Sequence, residues 1–253
     1  MKVLYLYSGS RKEGFKGRIG IDYPDTQFYG LNHLSSFAIE AEYKEPEDVI
    51  KNAFLRRILG WRLKHFLMFF TARQYDVVFG ISIIYMMFWR KVISARKTKF
   101  ILYNSVLKRL LMVNENKPIK LFLLKFLLKE LDGVITLSLV QQRYLEENLP
   151  FLKGKIWSVP IGVDIDYYKY TETRKNYYLS VGRDSSRDYE TIIEVAREMP
   201  DREFHFVCLP RNVSKIKDLP SNIKVFFNLS FPDLRKKLEE AKAILLITHD
   251  ENH

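Results

Sequence analysis

The sequence predicts an α/β protein of two parallel-sheet domains, the second incomplete. Three observations carry this. Short apolar runs alternate with segments of helical period along the chain, and strands separated by helices pair in parallel. Residues 160–176 are polar, tyrosine-rich and without period, which marks a linker between a first domain at 1–159 and part of a second at 177–253. Residues 177–196, YYLSVGRDSSRDYETIIEVA, read as buried strand, tight glycine turn and helix, the unit that repeats in open parallel sheets. By length, 253 residues hold roughly 1.7 domains.

Taken in order, residues 3–7 form a first strand, and the glycine-rich basic segment GSRKEGFKGRIG after them reads as a mobile loop over its carboxyl end. Residues 28–37 can form a helix and 38–43 a short strand. Glu47 and Asp48 open a long helix reaching Arg73, with Phe54, Ile58, Trp61, His65 and Met68 on one stripe. This helix is both basic and broadly apolar, so it can pack on a core or lie at a bilayer interface. Strands follow at 75–80 and 99–103, separated by an apolar helix at 82–94. Residues 120–131 (KLFLLKFLLKEL) are expected to form a buried helix whose lysines reach out to water. A strand at 133–137, a helix capped by Ser138 with Gln141, and a strand at 155–159 close the first domain.

The second part continues with strands at 177–181, 203–208, 223–227 and 243–248 and helices at 188–198 and near 213–218. A further helix starts at Ser230, which forms a capping box with Asp233, and Pro232 is tolerated in its first turn.

Composition narrows the class. With 47% hydrophobic and 28% charged residues the chain can bury a core, which excludes a disordered protein. The single cysteine, Cys208, sits in an apolar run, so no disulfide forms within the chain and the cytoplasm fits best. The opening MKVLYLYSGS is too short in apolar length for a secretory signal, and the uncharged apolar run 77–89 falls short of a membrane span. Residues 1–160 hold 26 Lys/Arg against 14 Asp/Glu, whereas 161–253 hold 15 against 16. The whole positive excess therefore lies in the first part, which predicts an anionic partner there. His33 and His65 read as packing or surface residues.

In the turn after the strand at 177–181, Gly182, Arg183 and Arg187 stand where the next helix aims its free N–H groups. A guanidinium grips phosphate oxygens through paired hydrogen bonds and keeps its charge, so the pair suits a diphosphate. Together with Val159-Pro160-Ile161-Gly162-Val163-Asp164 upstream and the segment from Asn222 to Asp250 downstream, this turn resembles the group-1, family-4-like glycosyltransferases of the GT-B fold. The resemblance covers about the last hundred residues closely.

It implies a GT-B-like fold of two Rossmann-type domains, acceptor side first and nucleotide-sugar donor side second. It implies retaining transfer of a sugar from a nucleotide diphosphate sugar, UDP- or GDP-linked, to a glycan or lipid-linked acceptor, usually without a bound metal or other cofactor. Gly182, Arg183 and Arg187 match the family's diphosphate-binding positions, with the interval to Arg187 one residue shorter than the common form. Glu251 matches the first of two catalytic glutamates eight positions apart; its partner would lie beyond His253, so a C-terminally truncated, inactive fragment is expected. Asn104-Ser105 stands where many members carry a histidine, which puts histidine-assisted acceptor chemistry in doubt. Family habit further implies polysaccharide synthesis for the cell envelope by a cytoplasmic enzyme peripheral to the inner face of the membrane. Two alternatives remain: a GT-B sugar-nucleotide epimerase, and a non-catalytic basic module binding anionic membrane or nucleic acid, although no nucleic-acid motif is present.

Overall fold

In a computed structural model, residues 1–7, 11–19, 22–45, 48, 50, 61–94, 97–172, 175–214, 216 and 218–249 are described. They divide into two compact units, one of residues 1–13 and 25–162 and one of residues 14–24 and 163–253.

The first unit is built on six parallel strands: β1 (Lys2–Leu6), β2 (Glu40–Lys44), β3 (Val77–Gly80), β4 (Lys99–Tyr103), β5 (Gly133–Thr136) and β6 (Ile156–Ser158), in the order β2-β1-β3-β4-β5-β6. Apart from the charged edge strand β2 (EAEYK), the strands are short and largely apolar, and Leu4, Val78, Phe100, Leu102 and Val134 are buried between sheet and helices. The helices among the described residues up to 162 are α1 (Lys12–Ile19), whose residues 14–19 are counted in the second unit, and α2 (Trp61–Ala72), α3 (Met87–Ile93), α4 (Leu107–Val113), α5 (Pro118–Leu128) and α6 (Leu139–Asn148) of the first. Ser138 caps α6 through the Gln141 N–H, and Gln141 returns a bond to the Leu137 N–H rather than to Ser138. Asp132, just before β5, ties α3 to β4: Arg90 of α3 lies 2.6 Å from its carboxylate, and in β4 the Phe100 N–H lies 2.9 Å and Lys99 3.3 Å from it. Burial pushes the Asp132 pKa up, but these donors outweigh it and hold the carboxyl below its ordinary range.

Several elements differ from expectation. The basic segment read as a loop carries α1, because tertiary partners override two glycines: the Arg11 N–H donates to Glu45, and Lys12 Nζ lies 2.8 Å from Asp48. The helix expected at 28–37 is instead two 3-10 segments, Asp25–Phe28 and Leu31–Phe37, broken where Tyr29 and Gly30 take positive φ. A 3-10 turn, Ile83–Met86, leads into α3. α4 was not foreseen; the side chain of Asn104 accepts from the Val106 and Leu107 N–H groups and starts it, which gives that buried asparagine a structural task. The expected burial of 120–131 holds on one side only: Leu128 and Leu131 are buried and Leu121, Leu124 and Leu127 pack on the core, whereas Phe122 and Leu123 are exposed. Of the long helix expected from Glu47, residues 47, 49 and 51–60 lie outside the described residues.

The second unit holds β7 (Tyr177–Val181), α7 (Tyr189–Glu198), β8 (Glu203–Cys208), the short α8 (Pro210–Val213), β9 (Ile223–Phe227), α9 (Phe231–Glu240) and β10 (Ala243–Leu245). Its four strands are all parallel, in the order β10-β7-β8-β9. Ile192, Ile193 and Ala196 of α7 pack on Phe204 and Phe206 of β8, as their helical spacing predicts, and Cys208 is buried with them. Ser230 accepts from the Asp233 N–H at the start of α9. Where a helix was expected near 213–218, α8 ends at Val213. The last strand stops at Leu245 instead of 248. Asp164 of the Val-Asp motif is buried and accepts from the Asp166 and Tyr167 N–H groups, an Asx turn inside the irregular stretch.

Candidate functional site

The turn between β7 and α7 lies at the carboxyl end of β7, the central position of the second sheet with β10 on one side and β8 on the other. In parallel sheets ligands collect at that end. The turn's backbone is fixed on three sides. The Gly182 N–H donates to Val207 O at 3.0 Å, and the buried Tyr189 hydroxyl donates to Gly182 O at 2.9 Å. The residues after β10 fold over the turn: the Asp188 N–H donates to Ile247 O, the His249 N–H to Ser186 O, and Arg187 bridges Thr248 in antiparallel fashion. This is why β10 ends early, since residues 247–249 are committed to the turn instead of the sheet.

Gly182 leaves room for a side chain. With Arg187 laid across it, a Cβ there would lie 2.3 Å from Arg187 Nε and would push the arginine aside. Arg187 is then held by Asp184 at 3.2 Å. A hydrogen bond from Ser186, helped by Arg187 against a smaller effect of burial, keeps the Asp184 carboxyl below its ordinary range, so the pair is ionised near neutrality.

Arg183 is exposed, and among the described residues its guanidinium has no partner. Its carbonyl oxygen accepts from Arg211 Nη2 at 3.1 Å, and Asp184 O accepts from Asn212 Nδ2 at 3.0 Å. The short α8 after β8 thus brings a third arginine to the turn. Arg211 and Asn212 were missed in the sequence; the signal that could have found them is their place just past the end of a parallel strand.

The helix N-terminus is not open as expected. Asp188 is the N-cap of α7 and accepts from the Thr191 N–H at 2.9 Å and the Thr191 hydroxyl at 2.6 Å. These bonds hold its carboxyl below the ordinary range, so a negative charge already sits on the helix dipole. Of the attractions foreseen for an anion, Arg187 is partly neutralised and the helix start is occupied. Arg183 is free, with Arg211 beside its backbone. Glu251 lies outside the described residues.

No sequence family and no curated protein matches the chain. Solved structures do. Anabaena HepE in complex with UDP-glucose superposes with a TM-score of 0.58 at 14% identity, over 98% of this chain and 74% of that one. Sucrose-phosphate synthase from Thermosynechococcus elongatus gives 0.63 at 12% identity, over 98% and 76%. A glycosyltransferase from Rickettsia africae gives 0.52 at 14% identity, over 98% and 73%. With two parallel sheets of Rossmann type, the chain has the GT-B fold.

Proposed function

We propose that this chain is a glycosyltransferase that binds a nucleotide diphosphate sugar on the β7–α7 turn of its second unit. The observation that carries the reading is the free guanidinium of Arg183 at the carboxyl end of the central strand, in a fold shared with HepE, whose structure holds UDP-glucose. Arg183 makes paired hydrogen bonds to the diphosphate, Arg211 adds positive potential from the neighbouring α8, and Arg187 leaves Asp184 to join them when the anion arrives. Gly182 lets Arg187 cross the turn. As the bond from the anomeric carbon to the diphosphate oxygen breaks, negative charge grows on that oxygen, and these side chains stabilise it where it develops.

The remaining particulars extend the resemblance in the sequence. Transfer proceeds with retention and without a metal, from a UDP- or GDP-linked hexose to a glycan or lipid-linked acceptor of polysaccharide synthesis at the cell envelope. Residues 1–159 form the acceptor side, 160–176 the linker and 177–253 the donor side, and Glu251 orients the donor. The protein works in the cytoplasm at the membrane's inner face.

Calorimetric titration with UDP and GDP tests the reading. Binding is expected, and Arg183→Ala should weaken it at least about tenfold, since hydrogen bonds to a charged partner contribute roughly 1.5–3 kcal/mol. Equal affinity in wild type and Arg183→Ala would refute the assignment.

A further inference from the structure

We propose that the outer face of α3 and α5 in the first unit docks on an anionic lipid bilayer. The two helices pack against each other, and Lys91 Nζ of α3 lies 4.5 Å from the centre of the Phe126 ring of α5. Their apolar side chains are turned outward: Val92 is 62% exposed, Ile119 76%, Phe122 68% and Leu123 52%, with Phe88 also exposed. An apolar helix is ordinarily buried, and one that keeps large side chains in water marks an interaction surface.

Charge selects the occupant. Neither α3, α5 nor the adjacent α2 contains a single Asp or Glu. Lys117 and Lys120, at the start of α5, are exposed and have no partner among the described residues. A second copy of this chain is disfavoured, because a two-fold interface would set these lysines against their own images. Nucleic acid is disfavoured because the face is mostly aliphatic and aromatic. Lysines at the rim of exposed Phe, Ile and Leu fit phosphate headgroups above acyl chains. The contact lies in the interface plane: none of the described helices is long and apolar enough to cross a membrane. The positive excess of residues 1–160 acts in the same direction. This inference stands whether or not the chain transfers sugar.

Sedimentation of the 253-residue chain with vesicles tests it. Vesicles of phosphatidylcholine with about 30 mol% phosphatidylglycerol should bind it, pure phosphatidylcholine far less, and added salt should weaken binding. The double variant Ile119→Ser/Phe122→Ser, at exposed sites that leave the core untouched, should bind about tenfold more weakly. Lys117→Glu/Lys120→Glu should remove the preference for anionic lipid. Phe37→Ser, an equally exposed apolar residue on another element, should change nothing. Failure to bind anionic vesicles, or equal binding by Ile119→Ser/Phe122→Ser, would overturn the proposal. So would light scattering showing a dimer that the same double variant disperses.

Discussion

Asp184 and Asp188 bring two carboxylates into a turn whose sequence is conspicuous for two arginines. Asp188 caps α7, and Asp184 holds Arg187 by an exposed ion pair. An exposed pair of this kind contributes little to stability, so its effect falls on whatever anion shares the arginine. Asp184→Asn should therefore tighten UDP binding several-fold, by removing a negative charge from beside the diphosphate, while thermal stability stays nearly constant. Unchanged or weaker UDP affinity in that variant would mean that Arg187 takes no part in binding. At this scale the sequence was half legible. Gly182, Arg183 and Arg187 could be picked out because strand, turn and helix are contiguous. The cap at Asp188 is a local signal, an aspartate three residues before the N–H from which it accepts, and it stands where helical spacing alone puts the helix's first residue. Arg211 reaches the turn only through the pairing of β7 with β8, which no local pattern encodes.

Elements were legible where one periodicity sufficed. β4, β7, β8 and β9 fall where their apolar runs placed them, because a short apolar run bounded by polar residues needs only its own sequence to be recognised. α5 shows the limit. Its sequence is that of a core helix, and whether neighbours cover it depends on elements far away in the chain. α1 failed in the opposite way, since its glycines signal a loop until Glu45 and Asp48 come near.

β8 also carries a titrating link to α9. The His205 ring is buried, stacks on Tyr177 at 4.0 Å, donates from Nε2 to Glu203 and accepts at Nδ1 from Lys237. Burial, with Lys237 and Lys224 against the opposing pull of Glu203, lowers its pKa below the ordinary 6.5. The unfolded chain takes up this proton first as pH falls. Stability is therefore present above pH 6.5 and is lost below it, by at most about 1.4 kcal/mol for each pH unit. His205→Phe keeps the ring on Tyr177 and removes the proton site, so its denaturation midpoint should fall less between pH 7 and 5. An identical slope in the two proteins would rule out this histidine as the origin of the loss.

On the scale of the whole molecule, chemistry divides between the two units. The first carries the positive excess and the exposed apolar helices, and the second carries the arginine turn on a nearly neutral background. The division of charge was readable by counting alone, and so was the α/β alternation. What counting could not supply was the segment after β10, which leaves the sheet to fold over the turn at residues 186–188 and fixes its shape. Amide hydrogen exchange with and without UDP tests the central claim most directly. The account predicts that UDP slows exchange at residues 182–188 and 209–212 and leaves the first unit unchanged. Slowed exchange elsewhere with those two loops unaffected would contradict it.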